Sequence, residues 1–253
     1  MHSLSMIYFR PVINRMIQGA LMPEFKPRHA SAALARIPKH NHKHQSNMPD
    51  ETFAFLQDGQ EPWIGVITCA DSRVPLESII GDASNLGKAF KCACAGNTAK
   101  GAIGSLEFAV HQLGVKLLAV QGHTECGAVG AALSDYSGLS ETLRGDIHHI
   151  KNMIDDMPKD ERLNSLDSVT AGILTNIRAQ VKALSAHFAT EIERDGIAVV
   201  GLLYDLHNKF GKGHGKEYLY CTGDEIHSDR LMSHPLLSEM SKEERASFIL
   251  PLT

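Results

Sequence analysis

The chain has 253 residues, 43% hydrophobic and 21% charged with 10 prolines, enough for a buried core without disulfide or metal staples and too apolar for wholesale disorder. Its 25 Lys and Arg against 29 Asp and Glu leave a net charge of −4, so no global basic field exists to hold a nucleic-acid backbone. No run approaches about 18 consecutive apolar residues, which argues against a helical membrane span, and the odd set Cys69, Cys92, Cys94, Cys126 and Cys221 suits reduced thiols or metal ligands in a cytoplasmic setting.

Residues 1–50 read as an N-terminal arm. The opening MHSLSMIYFRPVINRMIQGALM carries Arg10 and Arg15, has no acid before Glu24, and places Ile7, Val12, Ile13, Met16 and Ile17 at roughly helical intervals. We read it as an amphipathic arm that packs on a partner subunit, with organelle targeting as the alternative; Pro11 interrupts a long helix in either case. KHNHKHQ follows. Its His40, His42 and His44 stand among polar residues between Pro38 and Pro49, and the segment reads as an exposed loop rather than a specific metal site.

From Trp63 onward, strands alternate with helices. WIGVIT, AFKCAC, LLAVQG and IAVVGLLYDL are apolar runs of strand length. GAIGSLEFAVHQLG repeats apolar residues at Ile103, Leu106, Val110 and Leu113, and the stretch after Leu166 does so at Val169, Ile173, Ile177, Val181, Leu184 and Phe188, both at the spacing of amphipathic helices. The alternation predicts an α/β domain over residues 51–228, a mainly parallel β-sheet flanked by helices. Its chemistry is expected at the carboxyl ends of the strands. A helical tail, 229–253, closes the chain, and Ser241 and Glu244 in SKEERASFIL have the spacing of a capping box.

Two strand ends concentrate metal-ligand chemistry. WIGVIT delivers Cys69 and continues as CADSR, and LLAVQG delivers His123 and continues as HTEC to Cys126. Two thiolates and an imidazole suit Zn²⁺, and three protein ligands leave the fourth tetrahedral position for a water whose pKa falls to about 7. Each piece alone is weak, since a buried Cys at a strand end is usually a small core residue. Together with Asp71 and Arg73 directly after the first Cys, the pattern is far more specific. A carboxylate held in a two-pronged guanidinium grip can accept a proton beside the metal or reach the metal itself.

The stretch from about Gln60 to Asp205, with GQEPWIGVITCADSRVP, CAGN at 94–97, GSLEFAVHQLGV, GHTECGAV and VVGLLYDL, resembles the β-class carbonic anhydrases. The resemblance implies zinc held by Cys69, His123 and Cys126, with Asp71 and Arg73 as the catalytic dyad. It also implies a substrate pocket lined by Gln60, by Phe90 and by Phe108, the last standing where relatives often carry Tyr, and an assembly of dimers or tetramers. Where many relatives read R-N-A-G-N, this chain has Ala93-Cys94-Ala95-Gly96-Asn97. The lost Arg binds the anion in relatives regulated by bicarbonate at a non-catalytic site, so that regulation is not expected here, and Asp71 is expected to stay on Arg73 rather than move to the metal. Ala128 replaces a second Gly after Cys126.

The activity expected from the resemblance is reversible hydration of CO₂ to bicarbonate and a proton. Two other readings stand beside it: hydrolysis of a CO₂ analogue such as carbonyl sulfide or carbon disulfide, and a non-catalytic zinc protein, for which the Ala93-Cys94 departure is the best support. The segment HNKFGKGHGKEYLYCTGDE matches nothing in this reasoning. His207, His214 and His227 are weighed as proton shuttles and not assigned.

Overall fold

The four apolar runs become β1 (Ile64–Cys69), β2 (Ala89–Cys94), β3 (Leu117–His123) and β4 (Ala198–Asp205) in a computed structural model that describes residues 29–48, 50–81 and 86–252. The arm-or-targeting reading of residues 1–22 lies outside the described residues. A fifth strand, β5 (Lys216–Thr222), was not expected. The sheet order is β2-β1-β3-β4-β5, with the first four parallel and β5 antiparallel to β4. A mainly parallel sheet flanked by helices is therefore what the strand and helix alternation forms.

Burial follows strand position. Every residue of the interior strand β1 is buried, whereas the edge strand β2 mixes half-buried and exposed positions, as a strand covered on both faces must differ from one at a rim. Along the chain the helices are α1 (Ala30–Leu34), α2 (Arg36–Asn47), α3 (Asp50–Gln57), α4 (Glu77–Ile80), α5 (Ile103–His111), α6 (Gly127–Ala132), α7 (Glu141–Asp155), α8 (Ser168–His187), α9 (Ala189–Asp195), α10 (Ser228–Met232) and α11 (Lys242–Phe248). The chain divides into two units between Phe53 and Ala54, within α3.

In the first unit the histidine segment is helix α2, not the expected loop. Pro38 sits in the first turn, where a helix has no use for the missing N–H. His40, His42 and His44 are all exposed, as expected.

In the second unit, α8 is the main cover of one sheet face. Its Ile173, Leu174, Ile177, Val181 and Leu184 are buried, each contributing about 1.5–3 kcal/mol by leaving water. The helix lies close because two facing strand positions lack a side chain: a Cβ at Gly122 would meet Ile177 Cδ1 at 2.6 Å, and one at Gly201 would meet Ile177 Cγ2 at 2.6 Å. α5 buries Leu106, Ala109 and Val110 and ends before Leu113. On the other face Ile64, Val66, Ala119, Val200, Leu202 and Leu219 pack with Leu231, Leu237 and Ile249 from the C-terminal segments. There the capping box forms: Ser241 Oγ accepts from the Glu244 amide at 3.2 Å, and Glu244 Oε2 accepts from the Ser241 amide at 2.7 Å.

Candidate metal centre

β1 and β3 are hydrogen-bonded neighbours, so their carboxyl ends bring Cys69 and His123 side by side. After His123 the chain turns through Thr124 and Glu125, and Cys126 caps the start of α6. The ligand atoms of Cys69, His123 and Cys126 lie within 4.8 Å of one another, and this is the only such cluster of three or more among the described residues. All three side chains are buried.

The hydrogen-bond pattern tests whether a metal fits. His123 Nδ1 is 3.1 Å from the Thr124 carbonyl, which can only accept, so Nδ1 carries the proton and Nε2 the lone pair. That Nε2 is buried with no partner. The two thiols are 4.0 Å apart, and donation from Cys126 holds Cys69 well below the usual thiol range while Cys126 is pushed up by that donation and by burial. Two sulfurs in contact beside an orphaned imidazole nitrogen make a donor set that Zn²⁺ completes. The residues present fit the metal.

Asp71 lies directly beyond β1, its Oδ2 3.9 Å from His123 Nε2. Arg73 grips it: Oδ1 accepts from the Arg73 backbone amide at 3.0 Å and from Nε at 2.9 Å, and Oδ2 accepts from Nη2 at 2.6 Å. Hydrogen bonding from Arg73 is the largest cause holding Asp71 down at about 2. With Oδ1 doubly occupied, the open lone pair belongs to Oδ2, the oxygen that lies 3.9 Å from His123 Nε2. In this structure Asp71 is paired with Arg73.

The structure thus brings together Cys69, Asp71, Arg73, His123 and Cys126. Gln60 stands exposed between α3 and β1. Phe90 and Phe108 face one another with ring centroids 6.1 Å apart, Phe90 packing against the core and Phe108 about half exposed. Cys94 is the register partner of Cys69 across β1 and β2; its thiol donates to the Thr98 carbonyl at 3.3 Å.

The loop after β4 contributes His207, which the sequence reading weighed and left unassigned, and Lys209, which it missed. His207 Nδ1 is 2.9 Å from Thr124 Oγ1, and burial holds His207 below the usual imidazole range. Lys209 Nζ reaches Glu125 Oε1 at 2.5 Å. No local pattern places either residue beside the centre; both arrive because β4 runs beside β3.

Known proteins share this arrangement of elements. The carbonic anhydrase family profile matches residues 64–212. Carbonic anhydrase 2 of Mycobacterium tuberculosis is 30% identical over 191 residues, which cover 73% of this chain and 88% of that protein. Among solved structures, one reported for two tetrameric β-carbonic anhydrases of Sordaria macrospora aligns with a TM-score of 0.60 at 25% identity, covering 76% of this chain and 96% of that one. A β-carbonic anhydrase of Aspergillus fumigatus aligns with a TM-score of 0.58 at 27% identity, covering 87% and 99%.

Proposed function

Since the chain belongs to the β-class carbonic anhydrases, a family of carbonate dehydratases, we propose that it catalyses reversible hydration of CO₂ to bicarbonate and a proton at the Cys69, His123 and Cys126 centre. The observation that carries this reading is the buried, unpartnered His123 Nε2 facing two thiols beside an arginine-clamped carboxylate. Cys69, His123 and Cys126 would hold the zinc. Bound there, zinc supplies a nucleophile at neutral pH by lowering the pKa of water to about 7.

The chain's own residues define the rest. Asp71, at about 2, is ionised throughout the neutral range and can only accept hydrogen bonds. It orients the O–H of the nucleophile through Oδ2 rather than storing a proton. Arg73 fixes the plane and charge of Asp71, and a preorganised group of this kind needs no rearrangement as the reaction proceeds. Gln60, Phe90 and Phe108 are the proposed substrate-side residues. The paired dyad favours an enzyme over a structural zinc protein, for which a clamped carboxylate beside the ligands has no use. We further propose a homodimer or tetramer, as the Sordaria relatives are tetrameric, and a cytoplasmic location, in keeping with five free cysteines.

Elemental analysis tests the metal assignment. We expect about one zinc per chain, retained when His40, His42 and His44 are changed to Ala. It should be lost in the His123→Ala, Cys126→Ser double variant. Zinc persisting in that variant would remove this centre from consideration.

A further inference from the structure

We propose that Lys209 is a positioning residue for the Asp71 and Arg73 dyad: by bracing Glu125 in a left-handed backbone conformation, it aims the Glu125 carbonyl at Arg73. This rests on the reaction proposed for the centre. In the turn between His123 and Cys126, Glu125 adopts φ 58°, a left-handed region that a residue with a Cβ seldom adopts without support from its surroundings. Its carbonyl accepts from Arg73 Nη2 at 3.3 Å. The same nitrogen donates to Asp71 Oδ2 at 2.6 Å. Among the described residues, Arg73 therefore has one hydrogen-bonding anchor other than the carboxylate that it orients, and that anchor is a strained peptide.

Lys209 is what holds the peptide from outside. Its Nζ lies 2.5 Å from Glu125 Oε1 and 2.8 Å from Asp167 Oδ2, and it donates to Thr170 Oγ1 at 3.1 Å. Asp167 caps α8, accepting from the Thr170 amide at 2.9 Å, and the Lys209 amide donates to Asp205 Oδ1 at 2.9 Å at the end of β4. Against the burial that would raise it, the Lys209 ammonium and the Thr170 groups hold Asp167 down at about 2. Lys209 thus ties Glu125 to the packed end of α8 through its ammonium and is itself tied to β4 through its backbone amide. Half-exposed ion pairs contribute little to stability, and these side chains are 26% exposed for Lys209, 45% for Glu125 and 52% for Asp167. The consequence lies in the geometry of the dyad.

Lys209→Met keeps the apolar stem and the backbone amide while deleting all three side-chain contacts. In the zinc-loaded protein we expect kcat for CO₂ hydration to fall about ten-fold, the scale of a sub-ångström misplacement of a catalytic group, with KM, zinc content and melting temperature near those of the wild type. Lys209→Arg, which can still span Asp167 and Glu125, should restore at least about half of the rate. Because Asn tolerates the left-handed region, Lys209→Met added to Glu125→Asn should cost less than about two-fold further. A crystal structure of Lys209→Met should show Arg73 Nη2 beyond about 3.5 Å from the Glu125 carbonyl oxygen. An unchanged kcat, equal losses in the two backgrounds, a loss tracking zinc or melting temperature, or Arg73 still on that carbonyl would each overturn the proposal. If the wild type fails to hydrate CO₂, the proposed reaction fails, and the crystal structure alone decides the role of Lys209.

Discussion

Asp71 shows how much chemistry a single clamped side chain carries. Its Oδ1 is filled by two donors from Arg73, and its Oδ2 takes one donor and keeps one lone pair for the nucleophile. An amide cannot reproduce this, because an NH₂ in the place of Oδ2 would point a donor at the Arg73 donor. We expect Asp71→Asn to retain zinc and lose about 10²-fold or more in CO₂ hydration. Stopped-flow rates near those of the wild type, at equal zinc content, would take Asp71 out of the mechanism. Five residues of the centre were legible because they fall in two windows, 69–73 and 123–126, directly after apolar runs. Lys209 was not, since its role depends on which strand lies beside β3, and nothing in its own neighbours records that.

At the scale of elements, β1, β3 and β4 read clearly as buried apolar runs that need no partner to be recognised, and the edge strand β2 read from AFKCAC despite its partial exposure. β5 escaped because KEYLYCT follows three closely spaced glycines, and its identity as a strand comes from pairing with β4. That strand also carries Glu217, which accepts from Gln121 Nε2 at 3.0 Å while its other oxygen is buried without a partner. Burial, opposed by Gln121 and Ser78, pushes its carboxyl up from 4.5 to about 7. Between those two values the folded chain keeps a proton that the unfolded chain has released, so stability falls as pH rises through this window. The contribution is complete below 4.5 and spent above about 7, a swing of up to about 3 kcal/mol. Melting temperatures at pH 5 and 8 should therefore differ less in Glu217→Gln than in the wild type. Parallel curves would show that Glu217 titrates like an exposed acid.

For the whole molecule, the α/β class, the parallel sheet and the placing of the centre at the strand ends followed from alternating periodicities, and the helical state of residues 36–47 did not. A polar segment bounded by prolines reads as a loop, yet Pro38 falls in a first turn that tolerates it. The central claim is that the three-ligand centre and its clamped carboxylate hydrate CO₂. Stopped-flow measurement of CO₂ hydration on the zinc-loaded full chain, with carbonyl sulfide turnover followed in parallel, tests it most directly. We expect kcat/KM for CO₂ in the range of about 10⁴–10⁸ M⁻¹s⁻¹ typical of enzymes, lost on removal of zinc and recovered on its return. Fast release of sulfide from carbonyl sulfide with CO₂ hydration no faster than in buffer would contradict it.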